Sequence, residues 1–148
     1  MRLESTIQDR PQIYITNGCF LSDAAAHPYL EFLLLSPYRS DMNLETLAML
    51  ANFHADPRYQ LKLGDTVGIG RPWLEGSECD HLLLSLPYPY GPKLEWLNSQ
   101  DGCVRFLWAM PITSREAAFA ELNGSEALER KFDETKPDYL DPKRPSSV

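Results

Sequence analysis

Residues 106–124, "FLWAMPITSREAAFAELNG", decide how this chain is read. Phe106 to Met110 has the aromatic and aliphatic composition of a strand. Pro111 has no N–H to give a ladder and is expected to stop it. Thr113 and Glu116 then stand at the spacing of a capping box, in which hydroxyl and carboxylate each satisfy the other's backbone amide. Ile112 and Ala117 hold the staple positions, Phe119 and Leu122 share one helical face, and Gly124 supplies the left-handed stop. Every conspicuous residue has a structural job. The stretch reads as a junction between sheet and helix, not as an active site.

The pattern extends outward in both directions. A second helix follows in "SEALERKFDE" (125–134), with Leu128 and Phe132 on one face and a Glu126–Arg130 pair on its surface. Upstream, "KLEWL" (93–97) and "CVRFLWAM" (103–110) read as strands joined by the turn "NSQDG". Between residues 61 and 92, Gly and Pro punctuate short apolar pieces, which predicts brief strands and loops, with "HLLLSL" (81–86) the clearest strand. "DMNLETLAMLANFHADP" (41–57) predicts a helix capped by Asn43, stapled by Met42 and Leu47, packed through Leu44, Leu47, Ala48 and Ala51, and ended by Pro57. "IYITNGCFL" (13–21) and "YLEFLLLS" (29–36) predict strands, the second apolar enough to be covered on both faces. No repeat or linker divides the chain. One domain over 12–135 is expected, with residues 1–11 as lead-in and the polar, Pro- and Ser-rich 136–148 as a partly ordered tail.

The 148 residues, 43% of them hydrophobic, suffice for one buried core. No apolar run of about 18 residues or more is present and the N-terminus lacks a secretory signal, so a cytoplasmic protein outside the membrane is the default. A net charge of -7 argues against nucleic-acid binding, which needs clustered Lys and Arg, and suits solubility or steering toward a basic partner. Cys19, Cys79 and Cys103 form no CxxC motif and read as mostly buried free thiols.

Few residues could carry chemistry. Cys79 and His81 stand two apart in "CDH", on one face if that segment is a strand. A zinc site needs about four ligands and no second cluster supplies them, so no metal is expected. Cys19 or Cys79 with His81 would be a possible nucleophilic pair, but no orienting group or GxSxG elbow accompanies either. "GDTVGIGRP" (64–72) lacks the spacing of a phosphate loop. Glu31, inside "YLEFLLL", needs an ion pair or an edge position. No catalytic, cofactor or metal residue is assigned. The candidate partner-binding residues are Trp73, Glu75, Glu78 and Asp80 in one loop-like stretch and Tyr88 and Tyr90 in another, because Trp and Tyr are favoured interface anchors. The competing reading has these aromatics covering the core from loops.

Taken together, "IYITNGCFLS", the strand bearing Glu31, "GIGRPW" (68–73), "FLWAMPITSREAAFAELNGSEALERKF" (106–132) and "YLDPKRPS" (139–146) resemble the suppressor of fused-like domain. The likeness runs from about Gln12 to about Ser146, and its most specific part is the strand–"PIT"–Glu–helix–Gly–"ALE" succession. Members usually carry more chain ahead of the "IYIT" strand. The resemblance implies a single α+β domain with a mixed or largely antiparallel sheet flanked by helices. It implies binding without catalysis: the animal relative binds a transcription-factor peptide, and many bacterial members lie beside polymorphic toxins as immunity proteins. The leading expectation is an immunity protein whose acidity complements a basic toxin. The alternatives are an adaptor taking an extended peptide along a sheet edge and, in another class, a Cys/His or carboxylate hydrolase.

Overall fold

The structure is a computed structural model that describes residues 10–18, 29–100 and 102–148. Among these, six strands form one mixed sheet: β1 (Gln12–Ile15), β2 (Tyr29–Ser36), β3 (Thr66–Gly68), β4 (Cys79–Ser85), β5 (Trp96–Ser99) and β6 (Gly102–Thr113). Their order is β1-β2-β6-β4-β3, with β5 pairing the start of β6. β2 and β6 run parallel and the other pairs are antiparallel. Four α-helices complete the described fold: α1 (Asp41–Ala55), the single-turn α2 (Pro92–Glu95), α3 (Ser114–Asn123) and α4 (Ser125–Thr135). This is an α+β domain.

Period-two alternation divides the sheet's side chains between two cores. Leu30, Phe32 and Leu34 of β2, Leu82 and Leu84 of β4, and Leu107 and Ala109 of β6 pack with Leu47 and Leu50 of α1. Leu33 and Leu35, Leu83, and Trp108, Met110 and Ile112 pack with Ala117 and Ala120 of α3 and Leu128 and Phe132 of α4. β2 is apolar along its length because helices cover both faces. Glu31 is buried there and, among the described residues, has no ion-pair partner. Its carboxylate accepts from the Thr16 hydroxyl and from the Gly18 amide at 2.7 Å.

Several expectations are corrected. β6 passes through Pro111 and ends at Thr113, with Pro111 opposite Leu82. Its parallel pairing with β2 ends at Trp108, so among the described residues Pro111 has a strand on one side only, a place where a missing donor is tolerated. Ser40, not Asn43, caps α1 by accepting from the Met42 amide. Asn43 lies inside the helix and fully buried, donating to Ser36 Oγ at 3.0 Å and accepting from Trp73 Nε1 at 3.0 Å. The buried face of α1 is therefore Asn43, Thr46, Leu47, Leu50 and His54, while Leu44 and Ala48 are exposed. In "KLEWL" only Trp96 and Leu97 belong to β5, after the turn of α2. The capping box of α3 is present as read, with Gly124 (φ +88°) at its C-terminus, but Leu122 is 85% exposed.

The 136–148 segment is docked rather than loose. The ring of Tyr139 meets Trp108 and Phe132 edge-on at 5.1 and 5.9 Å. Arg144 is buried, forks onto Glu116 with both bonds at 2.8 Å and donates to the Pro111 carbonyl at 3.0 Å. Glu116 thus serves the cap of α3 and the latch of the C-terminal segment together.

Candidate functional site

The sequence-derived candidates do not assemble into one surface. Trp73 is 1% exposed, sits in the α1-side core and spends its indole N–H on Asn43, so it offers nothing to a partner in this fold. This placement favours the core-covering reading over the anchor. Glu75 and Glu78 are exposed, and Asp80 pairs with His81 Nδ1 at 2.7 Å. Tyr88 and Tyr90 are exposed on a 3-10 turn beyond the other end of β4. A seven-residue strand, about 20 Å long, separates the carboxylate group from the tyrosines.

The Cys–His pair does not form either. A bulge between Cys79 and His81 shifts the register, so Cys79 joins Leu82 and Leu84 in one core while alternation places His81 on the side of Leu83. Burial pushes the Cys79 thiol above its ordinary range, and Glu116 and Asp80 add to this against Arg144 and Ser77. A buried, protonated thiol is the reverse of an activated nucleophile. Cys103 is half-buried, and Cys19 lies outside the described residues. Among the described residues no group of three His, Cys, Asp or Glu could hold a metal ion, and no helix is long and apolar enough to cross a membrane.

The geometry gathers interface-type groups elsewhere, along β3. Asp65 accepts from the Leu84 amide and the Ile69 amide donates to Asp80. In the antiparallel register Thr66↔Leu83, Val67↔Leu82, Gly68↔His81, alternation leaves Thr66 and Gly68 with N–H and C=O directed away from β4. No strand among the described residues pairs with that side. Beside it opens a cleft of about 500 Å³ walled by Phe53, Tyr59 and Leu61, with Asp65 and Glu121 among its carboxylates.

Local chemistry builds these walls. Pro57 ends α1, and Asp56 caps the following 3-10 turn by accepting from the Arg58 amide. Buried His54 accepts from the Leu61 amide at 3.1 Å, which fixes the chain as it leaves that turn. Phe53 and Tyr59 meet edge-on at 5.7 Å, and the Arg58 guanidinium lies 5.3 Å from the Tyr59 ring. Phe53 and Tyr59 remain exposed, as does Leu63. Gly64 turns the chain into β3 at φ +91°, where an added Cβ would sit 2.9 Å from Ser125 Oγ. Sequence reasoning missed Phe53, Tyr59 and Leu63. The available signal was the phase of α1: once Leu47, Leu50 and His54 face the sheet, Phe53 points off it.

The comparisons agree with this architecture. The family model described as suppressor of fused protein matches residues 11–145. A crystal structure of a suppressor of fused homologue from Neisseria gonorrhoeae is 42% identical, with a TM-score of 0.85, over 97% of this chain and 74% of its own. The Sufu–Fu complex (14% identity, TM-score 0.63) aligns over 80% of this chain and 57% of its own. Drosophila Suppressor of Fused (13% identity, TM-score 0.64) aligns over the same share of this chain and 32% of its own. These last two share the fold. No curated protein matches the chain. With its sheet, its helices and its "PIT" capping junction matched over nearly the whole length, the chain belongs to the suppressor of fused family.

Proposed function

We propose that this chain is a non-enzymatic protein-binding domain that takes an extended segment of its partner along the open side of β3. The observation that carries the reading is the conjunction, at one place, of outward Thr66 and Gly68 backbone groups with the exposed rings of Phe53 and Tyr59. Strand addition draws affinity from main-chain bonds and specificity from pockets for alternate side chains. Asp65 and Glu121 favour a segment carrying a basic residue. The Sufu–Fu complex, a relative by fold bound to a protein, supports the general class.

The finer reading is an immunity protein that neutralises a basic toxin domain. The net charge of -7 supports it by complementarity. Glu75, Glu78, Asp80, Tyr88 and Tyr90 then act as flanking contacts, and Trp73 supports its loop from the core.

Affinity capture from the native host, run with the wild type, Gly68→Ala and Gly68→Pro, tests both readings. Proline removes the outward N–H, whereas an alanine Cβ at position 68 meets His81 only at ordinary contact distance. A toxin-domain protein held by the wild type and Gly68→Ala and lost with Gly68→Pro is the expected result. Equal retention on Gly68→Pro contradicts the edge, and a partner with no toxic domain contradicts immunity.

A further inference from the structure

A second cleft lies on the α4 side of the sheet, between α4, the 3-10 turn at Tyr88–Tyr90 and the C-terminal segment. Its walls are the rings of Tyr88, Phe132 and Tyr139, and its carboxylates are Glu126, Glu129 and Asp133. The volume, about 300 Å³, is at the low end for ligand pockets and suits one side chain better than a peptide segment. The walls are braced: Tyr139 is locked edge-on between Trp108 and Phe132, and Ser85 Oγ donates to Glu129 at 2.7 Å. One cation of the chain, Arg130, lines the cleft against the three carboxylates.

The same groups set the local potential. Burial first, with Glu129 and Asp133 adding to it, raises both phenols, Tyr88 and Tyr139, above their ordinary range, although Ser85 opposes this at Tyr88 and Arg144 at Tyr139. Phe132 already stacks with one guanidinium, that of Arg144 at 5.6 Å. Aromatic faces and carboxylates around one small volume match a planar cation, which offers a flat face to rings and forked donors to oxygens.

We infer that this cleft binds an arginine side chain of a protein partner, gripped by the exposed Tyr88 ring, the half-buried Tyr139 ring and the Glu126, Glu129 and Asp133 carboxylates, with buried Phe132 in the cleft wall. The arginine's source rests on the protein-binding reading, but the site itself does not involve the β3 edge.

The probe is the capped tripeptide acetyl-Gly-Arg-Gly-amide, titrated into the full chain while the ring protons of these three residues are followed by NMR. Saturable shifts are expected, half-complete at about 1–10 mM. The lysine tripeptide should bind more weakly and the neutral citrulline tripeptide should leave the rings unshifted. The doubly substituted Glu126→Gln/Asp133→Asn chain alters two exposed carboxylates outside both cores, and should bind at least about fivefold more weakly. Tyr88→Leu, at an exposed ring, should weaken binding similarly. The inference is overturned if citrulline shifts the rings as arginine does, if lysine binds as well as arginine, if the shifts fall outside the cleft, or if neither substitution changes the affinity. Because no strand is added to β3 in this titration, its failure leaves the edge reading standing, and loss of the edge leaves this result intact.

Discussion

Glu116 and Arg144 tie the C-terminal segment to the α3 junction, and their chemistry forecasts how the fold responds to acid. Burial pushes the Glu116 carboxyl up, but the bonds and charge of Arg144, with the Ser147 and Thr113 amides, outweigh it and hold the group below its ordinary value. A depressed folded value means that the contribution is complete above the ordinary carboxylate range and is lost as pH falls through the folded value. Arg144→Met should cost about 3–5 kcal/mol at neutral pH, since it strands a buried carboxylate, and markedly less in acid, where that carboxylate takes a proton. Urea unfolding across pH measures both, and an equal loss at every pH contradicts the account. At Trp73, the phenylalanine variant leaves Asn43 Oδ1 without its donor and should cost about 1–3 kcal/mol, while the affinity of the folded protein stays the same. Lower affinity at unchanged stability would restore Trp73 to the interface. Neither role was legible in the sequence. Asn43 meets Trp73 thirty residues away and Glu116 meets Arg144 twenty-eight away, whereas the Thr113–Glu116 box spans three and could be read directly.

Elements were legible where a single local rule fixed them. β2 and β4 followed from apolar runs, and α3 from its box and Gly124. Thr113→Ala should lower stability by about 1 kcal/mol in thermal or urea unfolding, with no separate effect on binding, because the residue's contacts are to Glu116 and Ser146. The faces of α1 were misread by about one position because the pattern counted leucines and alanines. Asn43, Thr46 and His54 are buried instead, each with hydrogen bonds to make. That error hid the exposed Phe53 and with it the β3 cleft. β3 itself is three residues long and carries no sequence signal beyond its flanking glycines. At this element the two Gly68 variants should differ: both fold, Gly68→Ala binds normally and Gly68→Pro binds at least about tenfold more weakly. Equal affinities, measured by surface-immobilised kinetics, would place the partner elsewhere.

The whole molecule is set by pairings that sequence patterns do not contain. β2 and β6 lie side by side and parallel although Tyr29 and its partner Val104 are about seventy-five positions apart in the chain. The family resemblance nevertheless anticipated the mixed α+β sheet, while the interface residues chosen from composition were spread over both ends of β4 and into the core. With a net charge of -7, association with a basic partner should slow about tenfold or more from low to high salt, and dissociation should change little. Stopped-flow rates insensitive to salt would remove steering from the account. The central claim is that the open side of β3 receives the partner's chain, and backbone hydrogen exchange reads it residue by residue. In the free protein the outward amides of Thr66 and Gly68 should exchange much faster than that of Val67, and in the complex both should become protected. Thr66 and Gly68 amides that stay fast in a saturated complex would contradict strand addition at β3.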